Sequence, residues 1–540
     1  MVHRLDCYGF RHWKQDEFPD MNEKRHMELK NKKAALHNLG CKVNSYEAEA
    51  MIRELREAGA EMVSWDKEKA DIYIINTCSV TNIADRKSRQ MIHKARAMNP
   101  DAVVIAAGCY VQAKSEELKD DEAVDILLGN NEKGNLVNAL EKYYSGEADK
   151  EGSFTGGQEE EPATSEITGK SIDRNPVDFS GDGFSETVSM GTAESNPERR
   201  NFKSRTSCYV KDISKDQSYE DLRAGEIEDN GRVFLKVQDG CNQYCSYCII
   251  PYVRGRIRSR SIESTVKEVE DFAKRGYHEI VLTGIHLSSY GLDFDNANYE
   301  FAMENDVPSE HLLELIRSVA NVPGISRVRL GSLEPRIITE AFVEELKRIP
   351  EICPHFHLSL QSGCDRTLKA MNRHYDTAAF RHSVELIRKA WEDAAITTDV
   401  IVGFPGETEE DYTESYDFID ELGFYELHVF KYSRRQGTVA DKMKDQVSDK
   451  IKSERSERLI RLDKTKSEVF RRSFLGKESE IIPEDIITFE GKKYLRGYNK
   501  SYVRFMVPLT DDAEETGKIG QIIRVQGREL CETCVLALIL

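Results

Sequence analysis

The chain has 540 residues, 39% hydrophobic and 32% charged, with a formal net charge of −19. That length suits about three domains of a soluble protein, and apolar runs such as residues 535–540 fall far short of the ~20 residues a membrane span needs. The charged N-terminus lacks an apolar signal core, so a cytoplasmic location is expected, where 12 cysteines point to metal ligation rather than disulfides.

Residues 1–32 show no apolar period and read as a mobile extension. Residues 34–39 read as a buried strand ending at Gly40-Cys41, and a helix is expected to follow with Ser45 as its N-cap. Residues 71–76 form a second strand ending at Thr77-Cys78. A helix over 84–97 leads to a third strand, 102–107, ending at Gly108-Cys109. This alternation implies a parallel α/β domain over 33–143. Cys41, Cys78 and Cys109 each lie just past a strand's C-terminal end, the edge where open α/β sheets bind ligands. Each could be an ordinary buried thiol; three at equivalent ends, two of them after glycine, favour one shared metal site.

Residues 144–230 carry about twice as many acidic as basic residues and few large apolar ones, the composition of a disordered linker. Strands are then expected at 233–237, 279–283, 327–330, 355–360, 397–402 and 428–430, with helices between. Six strands in βα order suit a partial (β/α)6 barrel over 231–465, with chemistry at the C-terminal strand ends. Residues 291–309 look like a surface insertion. A charged helical stretch near 446–473 precedes strands at 502–507 and 522–525. The segment 466–540 therefore reads as a small β-barrel, a shape often used to hold RNA.

Between the first two barrel segments, Cys241, Cys245 and Cys248 stand in a C-x3-C-x2-C spacing. A [4Fe–4S] cube normally takes four thiolates; three leave one iron open for a ligand, as in catalytic rather than structural metal sites. A zinc knuckle would need a fourth ligand nearby, and none follows in sequence. Cys531 and Cys534 form a C-x2-C without a second pair and read as thiols on a terminal strand. Cys7, Cys208, Cys353 and Cys364 have no visible partner set.

Together these motifs resemble the methylthiotransferase family of radical S-adenosylmethionine (SAM) enzymes. The resemblance rests on Leu39-Gly40-Cys41-Lys42-Val43-Asn44, Asn76-Thr77-Cys78, Gly108-Cys109, the central triplet, Ser359-Leu360-Gln361-Ser362-Gly363 and the segment Asp399 to Thr408. It spans about 33–143 and 231–540, and the C-terminal barrel is similar to the family's TRAM domain. The first motif resembles the branch acting on N6-threonylcarbamoyladenosine at tRNA position 37, rather than those acting on isopentenyladenosine or on a ribosomal protein. Lys431 and Arg434 stand where relatives commonly have proline.

The resemblance implies two [4Fe–4S] clusters: a SAM-cleaving one on Cys241, Cys245 and Cys248, and an auxiliary one on Cys41, Cys78 and Cys109 that manages the sulfur. It implies one SAM as methyl donor and one as radical source, since adenine C2 offers acid–base chemistry no handle. It implies an N-terminal domain capping the barrel mouth. The tRNA anticodon stem-loop is the expected partner, with a flavodoxin or ferredoxin as electron donor and a monomeric enzyme. Tyr247, Thr283, Gly284, Gly403 and Gly406 are candidate SAM contacts through backbone atoms, and Arg329, Ser332, Glu334 and Gln361 project from strand ends as polar ones. Arg254, Arg256, Arg258 and Arg260 alternate after the cluster loop as candidate tRNA contacts. Lys493, Arg496, Lys500, Tyr502 and Arg504 mix basic and aromatic groups as RNA-stacking surfaces do. A reading from another class is a non-catalytic iron–sulfur or zinc RNA-binding module.

Overall fold

A computed structural model describes residues 29–146, 206–225, 231–294, 310–509 and 518–540. Most of the N-terminal extension with Cys7, most of the acidic linker and residues 295–309 of the insertion lie outside the described residues. No helix among the described residues is long and apolar enough to cross a membrane.

The N-terminal sheet has the order β2-β1-β3-β4-β5-β6 and is parallel throughout. Its strands are β1 (Lys33–Asn38), β2 (Glu61–Met62), β3 (Ile72–Thr77), β4 (Val103–Gly108), β5 (Ile126–Leu128) and β6 (Ser207–Tyr209). β3 and β4 are buried at every position, as near-continuous apolar runs must be when helices cover both faces of a parallel sheet. Those helices are α1 (Lys42–Glu57), α2 (Asn82–Met98), α3 (Cys109–Lys119) and α4 (Leu136–Tyr144).

Two expectations fail here. Ser45 is not the N-cap: α1 begins at Lys42 with Cys41 in the cap position, and the Ser45 N–H already donates to the Cys41 carbonyl at 3.0 Å. Buried Asn44 pulls the turn inward by donating to the Leu39 and Thr77 carbonyls at 2.7 and 3.0 Å. Nor is the whole of 144–230 a linker. Residues 206–225 pack onto the protein, with β6 pairing to β5; the acidic average hid the short run Cys208-Tyr209-Val210, which lies against the N-terminal core.

The central domain is a partial barrel of six parallel strands: β7 (Val233–Asp239), β9 (Glu279–Gly284), β10 (Arg327–Leu330), β11 (His355–Gln361), β12 (Ala395–Val402) and β13 (Glu426–Lys431). A two-residue strand, β8 (Arg258–Ser259), pairs antiparallel to the end of β7. Isolated bridges Val328–Ile352 and Leu333–Leu358 join β10 to β11. Alternation along the strands divides the two faces. Leu235, Leu282, Val328, Leu358, Val400 and Leu427 join helix residues such as Phe272, Phe342, Phe380 and Ile419 in one core. Their alternates line the lumen.

The C-terminal segment closes into a five-stranded barrel, β14-β15-β16-β18-β17, comprising β14 (Glu478–Phe489), β15 (Lys492–Asn499), β16 (Arg504–Pro508), β17 (Ile523–Cys531) and β18 (Cys534–Ile539). It docks at the N-terminal ends of the central strands, away from the cysteines. Arg329, expected as a SAM contact, instead donates to the Lys500 carbonyl at 2.9 Å and to Glu279 at 2.8 Å. In so short a strand the N-terminal lumen face was mistaken for the catalytic end. Lys500 and Tyr502 are likewise not an RNA face. Lys500 Nζ donates to the Pro350 carbonyl, and the Tyr502 ring stacks on His355 at 4.6 Å and Tyr498 at 4.8 Å. With the Arg232 and Arg329 guanidiniums over it, Tyr502 forms the floor of the lumen.

Candidate active site

The N-terminal cysteines come from three crossovers of one sheet. Cys41 follows β1, Cys78 follows β3 and Cys109 opens α3 directly after β4. Gly40 has φ +112°, and a Cβ there would stand 3.1 Å from Cys78 Cβ. Gly108 has φ +97°, and its Cβ would meet Asn76 Oδ1 at 2.9 Å. Glycine is needed at both for the strand ends to converge. Burial pushes the Cys78 thiol up to about 11, and the charges of Cys109 and Cys41 push it the same way, so the three sulfurs share one neighbourhood. Cys41 is exposed, while Cys78 and Cys109 are buried.

The central triplet hangs on the loop after β7, ahead of the short helix α5 (Ile250–Arg254). The Cys241 N–H donates to the Gly255 carbonyl and the Cys248 N–H to the Cys245 carbonyl, each at 3.0 Å. Burial pushes Cys248 up to about 12, with Cys245 adding to it.

Both donor sets fit a cluster. Each offers three soft thiols and, among the described residues, no fourth protein ligand of that kind, and each has a hydrogen-bond donor trained on a sulfur. The Arg373 guanidinium reaches Cys245 Sγ at 3.1 Å, and the Asn130 amide reaches Cys109 Sγ at 3.4 Å. Such donors suit thiolate, the form that metal binding requires.

The two triplets face one mouth. Cys109 packs against Ile249 and Val253 of the central loop, and Asn130 bridges from Cys109 Sγ to the Val253 carbonyl at 2.7 Å. Between them lies a buried ionic lock. Glu47 of α1 accepts from Arg254 and Lys236 at 3.0 and 2.7 Å and from Lys133. Burial works against its charge, yet Arg254, Lys133 and Lys236 hold its carboxyl well below the usual range. Arg254 also donates to Asp239 at 3.0 Å and Asn44 at 2.6 Å.

Three of the four alternating arginines are therefore not RNA contacts. Arg254, Arg258 and Arg260 are each at most 1% exposed. Arg258 faces Asp239; Arg260 pairs with Glu268 and, at 2.7 Å, with Asp221. A buried guanidinium needs a carboxylate, and these came from other elements of the fold, Glu47 from the N-terminal sheet domain among them. Arg256 is exposed.

Around the mouth, Tyr247 meets Phe404 edge-on at 6.5 Å, Thr283 and Gly284 end β9, and Ser332 and Ser359 hydroxyls are 2.9 Å apart. Gln361 ends β11 with φ +67°. The Gly403 N–H donates to Glu407 and the Gly406 N–H to the Asp445 carbonyl. Glu334 is buried, and against that burial His286, Arg373 and Arg336 hold its carboxyl well below the usual range. Arg373 thus links Glu334 to Cys245, a role that no spacing in the sequence announced; nor did any announce Asn130 or Glu47. Arg435 was missed too: it ties the barrel to Asn82, Asp85 and Ser79 beside Cys78. On the C-terminal barrel Lys493 is exposed, Arg496 pairs with Asp485, and Arg504 donates to the Tyr498 hydroxyl.

The uncharacterized protein family UPF0004 matches residues 33–129 and the radical SAM superfamily matches residues 235–419. The chain is 36% identical, over 91% of its length and 93% of the relative's, to the threonylcarbamoyladenosine tRNA methylthiotransferase MtaB of Bacillus subtilis. It is 34% identical to the protein of that name from Aquifex aeolicus, over 83% of this chain and 91% of that one. A tRNA-2-methylthio-N(6)-dimethylallyladenosine synthase from Acetivibrio thermocellus is 30% identical over 87% of this chain and 85% of that one. Among solved structures, the radical SAM methyltransferase TsrM from Kitasatospora setae aligns with a TM-score of 0.48 and 15% identity, over 74% of this chain and 73% of that one. With two cysteine triplets at one mouth and relatives of this kind along nearly its whole length, the chain belongs to the MtaB-type branch of the radical SAM methylthiotransferase family.

Proposed function

We propose that this enzyme converts N6-threonylcarbamoyladenosine at position 37 of tRNA to its 2-methylthio derivative, with one SAM as methyl donor and a second as radical source. The observation that carries the reading is the convergence of both triplets on one mouth, joined by Asn130 and the Glu47–Arg254 lock. The activity for which the MtaB relatives are named supports the substrate.

In this reading Cys241, Cys245 and Cys248 hold the SAM-cleaving cluster, and Cys41, Cys78 and Cys109 hold an auxiliary one. A cluster of this kind, when bound, supplies the electron for reductive cleavage of SAM. The chain's own residues do the rest. Arg373 donates to Cys245 Sγ and so orients that ligand, and is itself positioned by Glu334. Exposed Cys41 keeps the sulfur-handling side open to the mouth. The lock and Arg435 fix the N-terminal sheet against the barrel, so the base is presented to both sites without domain motion. A flavodoxin- or ferredoxin-like donor and a monomer working in the cytoplasm complete the proposal.

Nucleoside mass spectrometry of tRNA from cells with and without the protein tests the substrate: the 2-methylthio nucleoside should vanish on deletion, and its persistence would refute the assignment. Metal analysis tests the ligand sets; about eight irons per chain are expected for two cubes, and zinc without iron would favour the binding-module reading.

A further inference from the structure

The lumen between the mouth and the Tyr502 floor carries a polar cluster that neither triplet uses. His357, Asp399 and His428 stand on the adjacent strands β11, β12 and β13, with one ligand atom from each within 4.8 Å of the others. His357 Nδ1 meets Thr397 Oγ1 at 2.9 Å, which turns its Nε2 toward Asp399 Oδ2 at 3.3 Å. The His357 and His428 rings lie 5.5 Å apart. Strand neighbours Leu358, Val400 and Leu427 are buried in the helix-facing core, whereas His357 and Asp399 are half-buried and His428 is exposed. Among the described residues His428 makes no side-chain hydrogen bond. The lumen at this depth is therefore open at His428, beside the His357–Asp399 pair.

Depth matters. His355, one step below, stacks on the floor, and Gln361 marks the rim; the β12 partners of His357 and Gln361, Thr397 and Val400, are three residues apart, a depth of roughly 10 Å at ~3.3 Å per residue. A base entering edge-on with C2 at the rim carries its N6 substituent into this space. We propose that His357, Asp399 and His428 form the subsite for that substituent and select a polar, hydrogen-bonding group over an apolar one. The inference rests on the substrate reading above. A threonylcarbamoyl group offers a carboxylate or urea carbonyl to the His428 ring, and a hydroxyl and urea N–H to Asp399, which His357 holds in place. An isopentenyl group would leave the His428 ring without a partner, and sites built to hydrogen-bond a substrate reject analogues lacking those groups strongly.

The test uses the anaerobically reconstituted full chain and three anticodon stem-loop RNAs bearing threonylcarbamoyladenosine, isopentenyladenosine or adenosine at position 37. The wild type should prefer the first over the second by about 100-fold or more in kcat/KM. His428→Phe and Asp399→Asn should each lower kcat/KM for the first by about tenfold or more and lower its binding advantage over unmodified RNA, with iron content and SAM affinity retained. His428→Gln, which keeps a donor, should recover part of the loss, and if the phenylalanine and glutamine variants behave alike the subsite is refuted. An unchanged preference in both His428→Phe and Asp399→Asn refutes it as well. One zinc per chain that disappears in His428→Phe would make the cluster a metal site and overturn the proposal. Wild-type turnover of the isopentenyl RNA alone would overturn the substrate reading itself, a result distinct from unaltered variants.

Discussion

The two cysteine triplets are built in opposite ways. Cys241, Cys245 and Cys248 share one loop whose backbone closes on itself and on Gly255. Cys41, Cys78 and Cys109 are brought together only by three parallel crossovers and by glycines at two of the strand ends. The central site is a local structure; the N-terminal one is a property of a whole sheet. Damage to packing should therefore separate the two.

The largest expected effect comes from the ligands. Cys245→Ala should abolish reductive SAM cleavage, whereas Cys41→Ala should abolish methylthiolation and leave cleavage detectable by 5′-deoxyadenosine release. Loss of cleavage in Cys41→Ala protein with an intact central cluster would erase the contrast. Next is Glu47→Ala, which leaves buried Lys133 without a carboxylate and Arg254 and Lys236 sharing Asp239 alone, and should cost about 3–5 kcal/mol. Chemical denaturation checks the stability, and the loss of methylthiolation should exceed that of SAM cleavage. Tyr502→Ala, at the floor and far from both triplets, should cost about 2 kcal/mol and loosen the C-terminal barrel. Hydrogen exchange should rise in β14 and β15 while iron content holds.

The smallest effect tests the N-terminal side alone. Burial, with Glu220 and Glu57 nearby, pushes Glu54 up to about 8. The folded state thus binds this proton more tightly than the unfolded state. Its contribution is fully present below about pH 4.5 and is lost as pH rises toward 8. Glu54→Gln should stabilise the protein by about 2 kcal/mol at pH 8 and by progressively less toward pH 5; a gain independent of pH would contradict it.

Alternation and turn residues made the strands legible, and with them the placement of Cys41, Cys78, Cys109 and Cys241, because each lies beside a glycine or a strand end. Partnership was not legible. Arg254, Arg258 and Arg260 read as an exposed basic edge since their carboxylates, Glu47, Asp239, Asp221 and Glu268, lie on other elements. Tyr502 and Lys500 carry the chemistry of an RNA surface, and only the docking of two domains turns them into a floor. Composition averaged over 144–230 concealed β6, a strand too short to move the mean.

That strand has a consequence for how the chain can vary. Residues 206–225 are fastened at both ends: β6 pairs with β5, while Tyr46 donates to the Leu222 carbonyl at 2.5 Å, Ala224 N–H to Glu268, and Tyr219 to the Lys236 carbonyl. The strap acts as a splint across the joint between sheet and barrel, so the site's dimensions do not depend on what connects residue 146 to residue 206. A break in the chain between residues 146 and 206 would thus leave both halves clamped together, with β6 still paired to β5.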